Sequence, residues 1–260
     1  MMNLMQHDAE ILDQFTKQAE PFLRRHENSH ADLLQLMVEC ADVRPESTIL
    51  DIACGPGIVS CFFARPASHV TGLDFVPAML AQAKRLQAER QLTNIDWALG
   101  ESTALPFADD FFDRVVTRFS FHHYMEPPTA IAEMRRVCKP SGIVLIADVA
   151  PRPDTQNRFN QWEILRDPSH TRALTETEIK ALGENAGLQL ARQANFRMQM
   201  NLEDLLGSSF PKPGNADKIR ALFENDIQRG TDTLGVSASR ENGVVKLTYP
   251  ITIVAWQKPA

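Results

Sequence analysis

The sequence predicts an α/β fold built on a doubly wound, mainly parallel sheet, and three observations carry that prediction. The apolar run Ile49-Leu50-Asp51-Ile52 holds one carboxylate, passes through Ala53-Cys54-Gly55-Pro56-Gly57, and reopens as Ile58-Val59-Ser60. That is the grammar of a strand, a tight turn and a helix start at the carboxyl edge of a parallel sheet. Short apolar runs then alternate with helix-period segments as far as residue 149, as strands and crossovers do. Residues 143–149 form a nearly continuous apolar run, the pattern of a strand buried on both faces.

Taken in order, residues 8–42 read as two amphipathic helices around a break at His26-Glu27-Asn28-Ser29. Ile11, Leu12, Phe15, Ala19 and Phe22 recur at helical spacing in the first, and Leu33, Leu34, Leu36, Met37 and Cys40 mark the second. Residues 58–64 form the first crossover helix and 70–74 a short strand ending in Asp74. The spacing predicts a helix over 77–91, with Pro77 in its first turn and Met79, Leu80, Ala83 and Leu86 on one face. Strands follow at 95–99 and 113–117, then the exit loop 118–124 and a helix at 127–137. Beyond the linker Pro151-Arg152-Pro153, residues 159–165 and 175–186 read as helices. The second opens on the capping box Thr175-Glu176-Thr177-Glu178 and stops at Gly187. Residues 188–200 and 244–256 are the sixth and seventh strands, with a helical insertion at 202–229 between them.

Composition narrows the class. The 260 residues, 43% hydrophobic and 23% charged, are those of an ordinary globular protein, either one large domain or a core with an embellishment. A net charge of −6 argues against non-specific nucleic-acid binding, which neutralises phosphates. No run of about 18 apolar residues predicts a membrane span, and residues 1–10 lack the basic and apolar regions of a signal peptide. The expected compartment is the cytoplasm. Cys40, Cys54, Cys61 and Cys138 are scattered without CxxC spacing, so neither a disulfide framework nor a metal site is expected. Cys54 reads as a nucleophile or, more simply, as a small apolar side chain under the loop.

The loop constrains its ligand. Gly55 and Gly57 can take positive φ and let a ligand approach the backbone. Asp74 follows Gly55 by 19 residues, near the ~20 of a dinucleotide site's ribose-binding acid. Two details oppose a dinucleotide. Asp51 at the mouth repels a pyrophosphate and attracts an amine, and Pro56 removes a backbone N–H where a phosphate needs donors. A ligand with an adenosine end and an amine-bearing end, S-adenosylmethionine, suits the loop better.

Asp51-x-x-x-Gly55-x-Gly57 resembles motif I of the class I S-adenosylmethionine-dependent methyltransferases, and further matches follow in order: Gly72-Leu73-Asp74, the run from Gly100 to Phe107, Phe112-Asp113, His122-His123, and Arg136 to Gly142. Over residues 45–150 the chain resembles the branch containing the ubiquinone/menaquinone C-methyltransferases. The resemblance implies a Rossmann-like, seven-stranded fold with three parts. Residues 1–44 are a helical lid, 45–150 the cofactor-binding core, and 151–260 the remainder with an acceptor-side insertion. It also implies that Asp51, Ala53, Gly55 and Gly57 hold the methionine end, Asp74 with Phe75 and Met79 the ribose side, and Gly100, Glu101 and Ser102 the adenine. Arg118, Phe119 and His122 then border the sulfonium.

Methyl transfer is an in-line displacement, so the protein must align donor and nucleophile and take the nucleophile's proton. His122 and His123 on the exit loop are candidate bases, one of the pair being structural in the resembling enzymes. His170 is a third candidate, or else a surface-loop residue, and Arg118 and Arg166 are candidate anion holders or salt-bridge partners. The chain has Arg118-Phe119-Ser120-Phe121 where enzymes that methylate base amino groups carry Asn/Asp-Pro-Pro-aromatic. A small-molecule acceptor and a monomer or homodimer are therefore expected, with no nucleic acid. The rival readings are a non-catalytic S-adenosylmethionine-binding protein and a nicotinamide-dependent oxidoreductase.

Overall fold

The structure is a computed structural model describing residues 4–26 and 31–260, the side chains of 4, 5 and 21–26 excepted. Its organising strand is β1 (Thr48–Ile52), whose alternate side chains point to opposite faces. Ile49 enters one apolar core and Leu50 the other. The same division runs through β4 (Phe112–Arg118) and β5 (Cys138–Val149): Val116 and Leu145 face one way, Val115, Val144 and Ile146 the other. A sheet covered on both faces needs such unbroken apolar runs.

Strands β2 (His69–Asp74), β3 (Ile95–Leu99), β6 (Gln189–Asn201), β7 (Ser239–Glu241) and β8 (Val244–Gln257) complete the sheet. Its order is β3-β2-β1-β4-β5-β8-β6, with β7 paired to β8. β1 is parallel to β2 and β4, and β4 to β5, while β8 is antiparallel to both β5 and β6. The chain winds outward from β1 to β3, then crosses to β4. This leaves a topological switch point between β1 and β4, where Ile52 pairs with Thr117.

Helices α1 (Leu4–His26), α2 (Ala31–Cys40), α3 (Ile58–Phe63), α4 (Pro77–Glu89), α5 (Pro127–Val137), α6 (Gln156–Arg166), α7 (Glu176–Asn185), α8 (Leu202–Gly207) and α9 (Asn215–Arg229) cover the sheet. Among the described residues none is long and apolar enough to cross a membrane. The predicted capping box opens α7: Thr175 Oγ1 accepts from Glu178 N, and the Glu178 carboxylate accepts from Thr175 N. Gly187 follows at φ 77°.

The structure adds two details to this architecture. The two N-terminal helices part company. In α1, Ile11, Phe15 and Ala19 pack on Phe75, Val76, Ala78 and Met79, whereas Leu33, Leu34 and Met37 of α2 are sunk in the main core beside the sheet. The expected break at 26–29 meets the undescribed residues 27–30, and the side chains of Phe22 and His26 lie outside the described residues. The expected seven strands form the path of the sheet, and among the described residues an eighth joins them. The extra one, β7, is a three-residue hairpin partner joined through Asn242 and Gly243. Both take positive φ, 49° and 82°, as a type I′ turn requires.

Candidate active site

The loop after β1 is folded by left-handed departures at every second residue, Ala53 at φ 52°, Gly55 at 54° and Gly57 at 82°. For Ala53 this conformation costs roughly 1–2 kcal/mol, a strain typical of functional turns. The two glycines have different jobs. A Cβ on Gly57 would sit 2.7 Å from the Trp97 ring and 2.9 Å from Ala83 Cβ, so this glycine lets α3 close on α4. A Cβ on Gly55 would find nothing nearer than Met79 Sδ at 4.0 Å, which leaves its face open.

Two buried carboxylates flank the loop. Asp51 is 1% exposed, and its Oδ2 accepts from Ser60 Oγ at 2.5 Å. Burial pushes its carboxyl up to about 7, against the pull of Ser60 and Arg118. Asp74 fastens the loop to the end of β2 by accepting from Gly55 N at 2.7 Å and Val76 N at 2.8 Å. Burial lifts it to about 6. Each Asp74 oxygen keeps lone-pair capacity for another donor.

These groups open into a cleft of about 520 Å³, within the usual range for small-ligand sites. Asp51, Ala53, Gly55, Asp74, Phe75, Met79, Gly100, Glu101, Ser102, Arg118, Phe119, His122 and His123 all line it. Gly57 and His170 are the two sequence candidates outside its wall. Cys54 lines it too, but burial raises its thiol well above the ordinary range, so it stays protonated and is a poor nucleophile. Arg118 is 8% exposed, with its guanidinium 5.0 Å above the ring of Phe119. Its Nη1 has no hydrogen-bond partner, and burial brings the group down to about 10. Phe119 itself is held at φ 56°, an outlier for so bulky a residue.

The histidines occupy three environments. His122 Nδ1 is 2.6 Å from Asp148 Oδ1, and its backbone N–H donates to Asp148 Oδ2 at 3.3 Å. Burial works against its protonation, but the charge and hydrogen bond of Asp148, helped by Glu163, raise it above the ordinary value. His123 Nδ1 donates to the Ser169 carbonyl at 3.0 Å, and its ring meets Phe15 edge-on at 5.0 Å. Burial and the neighbouring His122 drive it well down. His170 is not the surface-loop residue the sequence suggested. It is 3% exposed, and its Nε2 donates to Asn160 Oδ1 at 2.7 Å. Burial and the other two histidines depress it strongly.

Residues 50–146 match the family model described as "Methyltransferase domain". The uncharacterized methyltransferase YcgJ of Bacillus subtilis strain 168 is 32% identical over 170 residues, spanning 65% of this chain and 67% of that protein. The chain belongs to the class I S-adenosylmethionine-dependent methyltransferases. The ubiquinone/menaquinone biosynthesis C-methyltransferase UbiE of Paracoccus denitrificans is 34% identical over 120 residues, 45% of this chain and about half (48%) of that relative's length. The solved structure of YcgJ from Bacillus subtilis shares the fold, with a TM-score of 0.80 at 24% identity, over 89% of this chain and 100% of that one.

The methyltransferase cleft also draws on residues that sequence reasoning missed. Asp148 is hidden at the end of the β5 apolar run, although an acid closing a strand is the signal that exposed Asp74. Glu163 and Tyr249, 86 residues apart, meet with the Tyr249 hydroxyl donating to Glu163 Oε1 at 2.5 Å. Arg166, which the sequence did offer as a salt-bridge partner, grips Glu163 Oε2 through Nε at 2.9 Å and Nη2 at 2.6 Å. Met198, Met200 and Leu205 add apolar wall. From α1, His7 Nε2 donates to the His123 carbonyl at 2.7 Å, Gln18 to Asp167 at 3.3 Å, and Gln14 to the Ser209 carbonyl.

Proposed function

We propose that this methyltransferase methylates a small molecule whose nucleophile carries a proton, with His122 as the base that removes it. The observation carrying this reading is His122, which lines the cleft with its Nδ1 held 2.6 Å from Asp148 Oδ1. An Nδ1–H committed to a buried carboxylate leaves Nε2 as the basic nitrogen and stabilises the imidazolium once formed. His123 and His170 are driven toward the neutral form, and His170 lies behind the wall, which suits both to positioning.

The residues present fit S-adenosylmethionine. Two buried carboxylates of raised pKa, an open glycine face and an unpartnered buried cation on one cleft call for a ligand with an amine, hydroxyls and an anionic group. Asp51 would take the amine, Asp74 the ribose hydroxyls, Gly55 the close backbone approach, and Gly100 to Ser102 the adenine edge. When bound, the cofactor supplies a methyl group already activated by positive sulfur. The chain's own contribution is alignment, exclusion of water by α1, and proton removal at His122 Nε2. The Arg166 guanidinium is spent on Glu163 and Ser209, so the acceptor wall offers methionine and leucine surface with little free positive charge. A neutral acceptor with one acidic hydroxyl, N–H or C–H fits such a wall.

The test is turnover of S-adenosylmethionine to S-adenosylhomocysteine in a pool of small phenols, amines and activated carbon acids. His122→Ala should keep cofactor affinity and lose roughly 10²–10⁴-fold in turnover. Cofactor binding without turnover of any acceptor would identify a binding protein instead.

A further inference from the structure

We propose that the free edge of β6 is the contact through which two copies of this chain pair, strand against antiparallel strand, about a twofold axis at Asn195. The path of the sheet ends in two edges, β3 on one side and β6 on the other. β3 is five residues long and carries Asp96, whose side chain is 80% exposed, and a short edge bearing a charge resists pairing. β6 runs for 13 residues and holds no proline, glycine, lysine or acid. A long edge strand without those guards is a template for another strand.

The edge is open as well as terminal. Residues 189–193 are exposed throughout, and so are Asn195, Arg197 and Gln199. Among the described residues, the backbone of 192–198 bonds only to β8. The two cations of the strand are engaged within the chain. Arg192 donates to the Glu39 carbonyl, and Arg197 Nη2 donates to Ser237 Oγ at 2.9 Å, so neither stands guard over the edge.

The chemistry of the strand selects a second copy as its partner. Gln193, Asn195 and Gln199 lie on one face, and an amide both donates and accepts, so it is complementary to its own kind. A twofold pair is also closed, because each copy uses up the other's β6 edge. The arginines set the register. An axis at Arg192 or Arg197 would put that arginine opposite its own copy, and like charges directly opposite are unfavourable. An axis at Asn195, the middle of the strand, pairs the longest stretch and places Gln193 opposite Arg197 and Arg192 opposite Met198. The irregularity between Leu190 and Arg192 bounds that pairing at 192–198. Met198 and Met200 of the same strand line the cleft, so a second copy would brace one cleft wall from outside.

Sedimentation equilibrium of the full chain between about 1 and 100 μM tests this. The wild type should reach twice the 29.2 kDa chain mass at the upper end and dissociate on dilution. Gln193→Lys sets a lysine opposite Arg197 at two symmetry-related places and should weaken association on the order of tenfold. Adding Arg197→Glu to that variant turns both clashes into opposite-charge pairs and should restore association. Amide exchange supplies a readout that needs no variant: outward N–H groups of 192–198 should exchange more slowly at the upper concentration than at the lower. A wild type that stays at 29.2 kDa throughout overturns the proposal, whether the edge remains free or receives the strand of a different protein. A dimer indifferent to Gln193→Lys, or a double variant as weak as the single one, overturns it as well, because the contact then lies elsewhere.

Discussion

Asp74 has two duties, and they separate experimentally. Its oxygens hold the backbone of Gly55 and Val76, and the proposed second duty is to accept from a ligand's hydroxyls in the cleft that Asp74 lines. Asp74→Ala should weaken S-adenosylhomocysteine binding by roughly 1–3 kcal/mol through lost charge-assisted hydrogen bonds. Unchanged affinity in calorimetry would leave Asp74 with the loop-fastening duty alone. Asp51 gives a pH signature. Burial raises its carboxyl from the ordinary 3.8 to about 7, so its contribution to stability is complete below 3.8 and is lost as pH rises through 7. His123 and His170, buried neutral, act in the opposite sense below their ordinary 6.5, so the useful quantity is a difference. Relative to Asp51→Asn, the unliganded wild type should lose on the order of a few kcal/mol between pH 4 and 7 in denaturant melts. A flat difference would mean that Asp51 is not desolvated. For the base, Asp148→Asn should lower the His122 pKa, read from its ring-nitrogen NMR shifts, because the opposing charge has gone while burial remains.

At the scale of elements, Gly57 controls how closely α3 approaches α4. Gly57→Ala meets both a left-handed φ and the Trp97 ring, and should lower stability by more than 1 kcal/mol. A melting temperature equal to the wild type's would refute that packing role. The elements legible beforehand were those whose hydrophobic period is long or whose punctuation is chemical: β1 with its glycine loop, α4 behind Pro77, α7 behind Thr175. The two-faced core also explains why 143–149 reads as a bare apolar run. β7 escaped notice because three residues carry no period, even though Asn242-Gly243 is a strong turn signal. From sequence, His170 reads as a candidate base or a surface-loop residue. In the folded chain, Asn160 of α6 and the histidine pair bury that loop. The cleft wall around Glu163 was the least legible part. Glu163, Arg166, Met198, Leu205 and Tyr249 come from four separate elements, and no local pattern announces a convergence of that kind.

On the scale of the whole molecule, α1 matters most. Its apolar face rests on the α4 side of the cleft, and its polar residues reach Asp167, Ser209 and the His123 carbonyl on the other. Adding S-adenosylhomocysteine should therefore slow amide exchange in α1 as well as in the loop after β1. Protection confined to the loop would show that the helix does not respond to the cofactor. A roof resting on both walls cannot free one guest while detaining the other. Spent donor and methylated product would leave in a single opening event, and the pace of that departure, rather than the bond exchange, would cap the catalytic cycle.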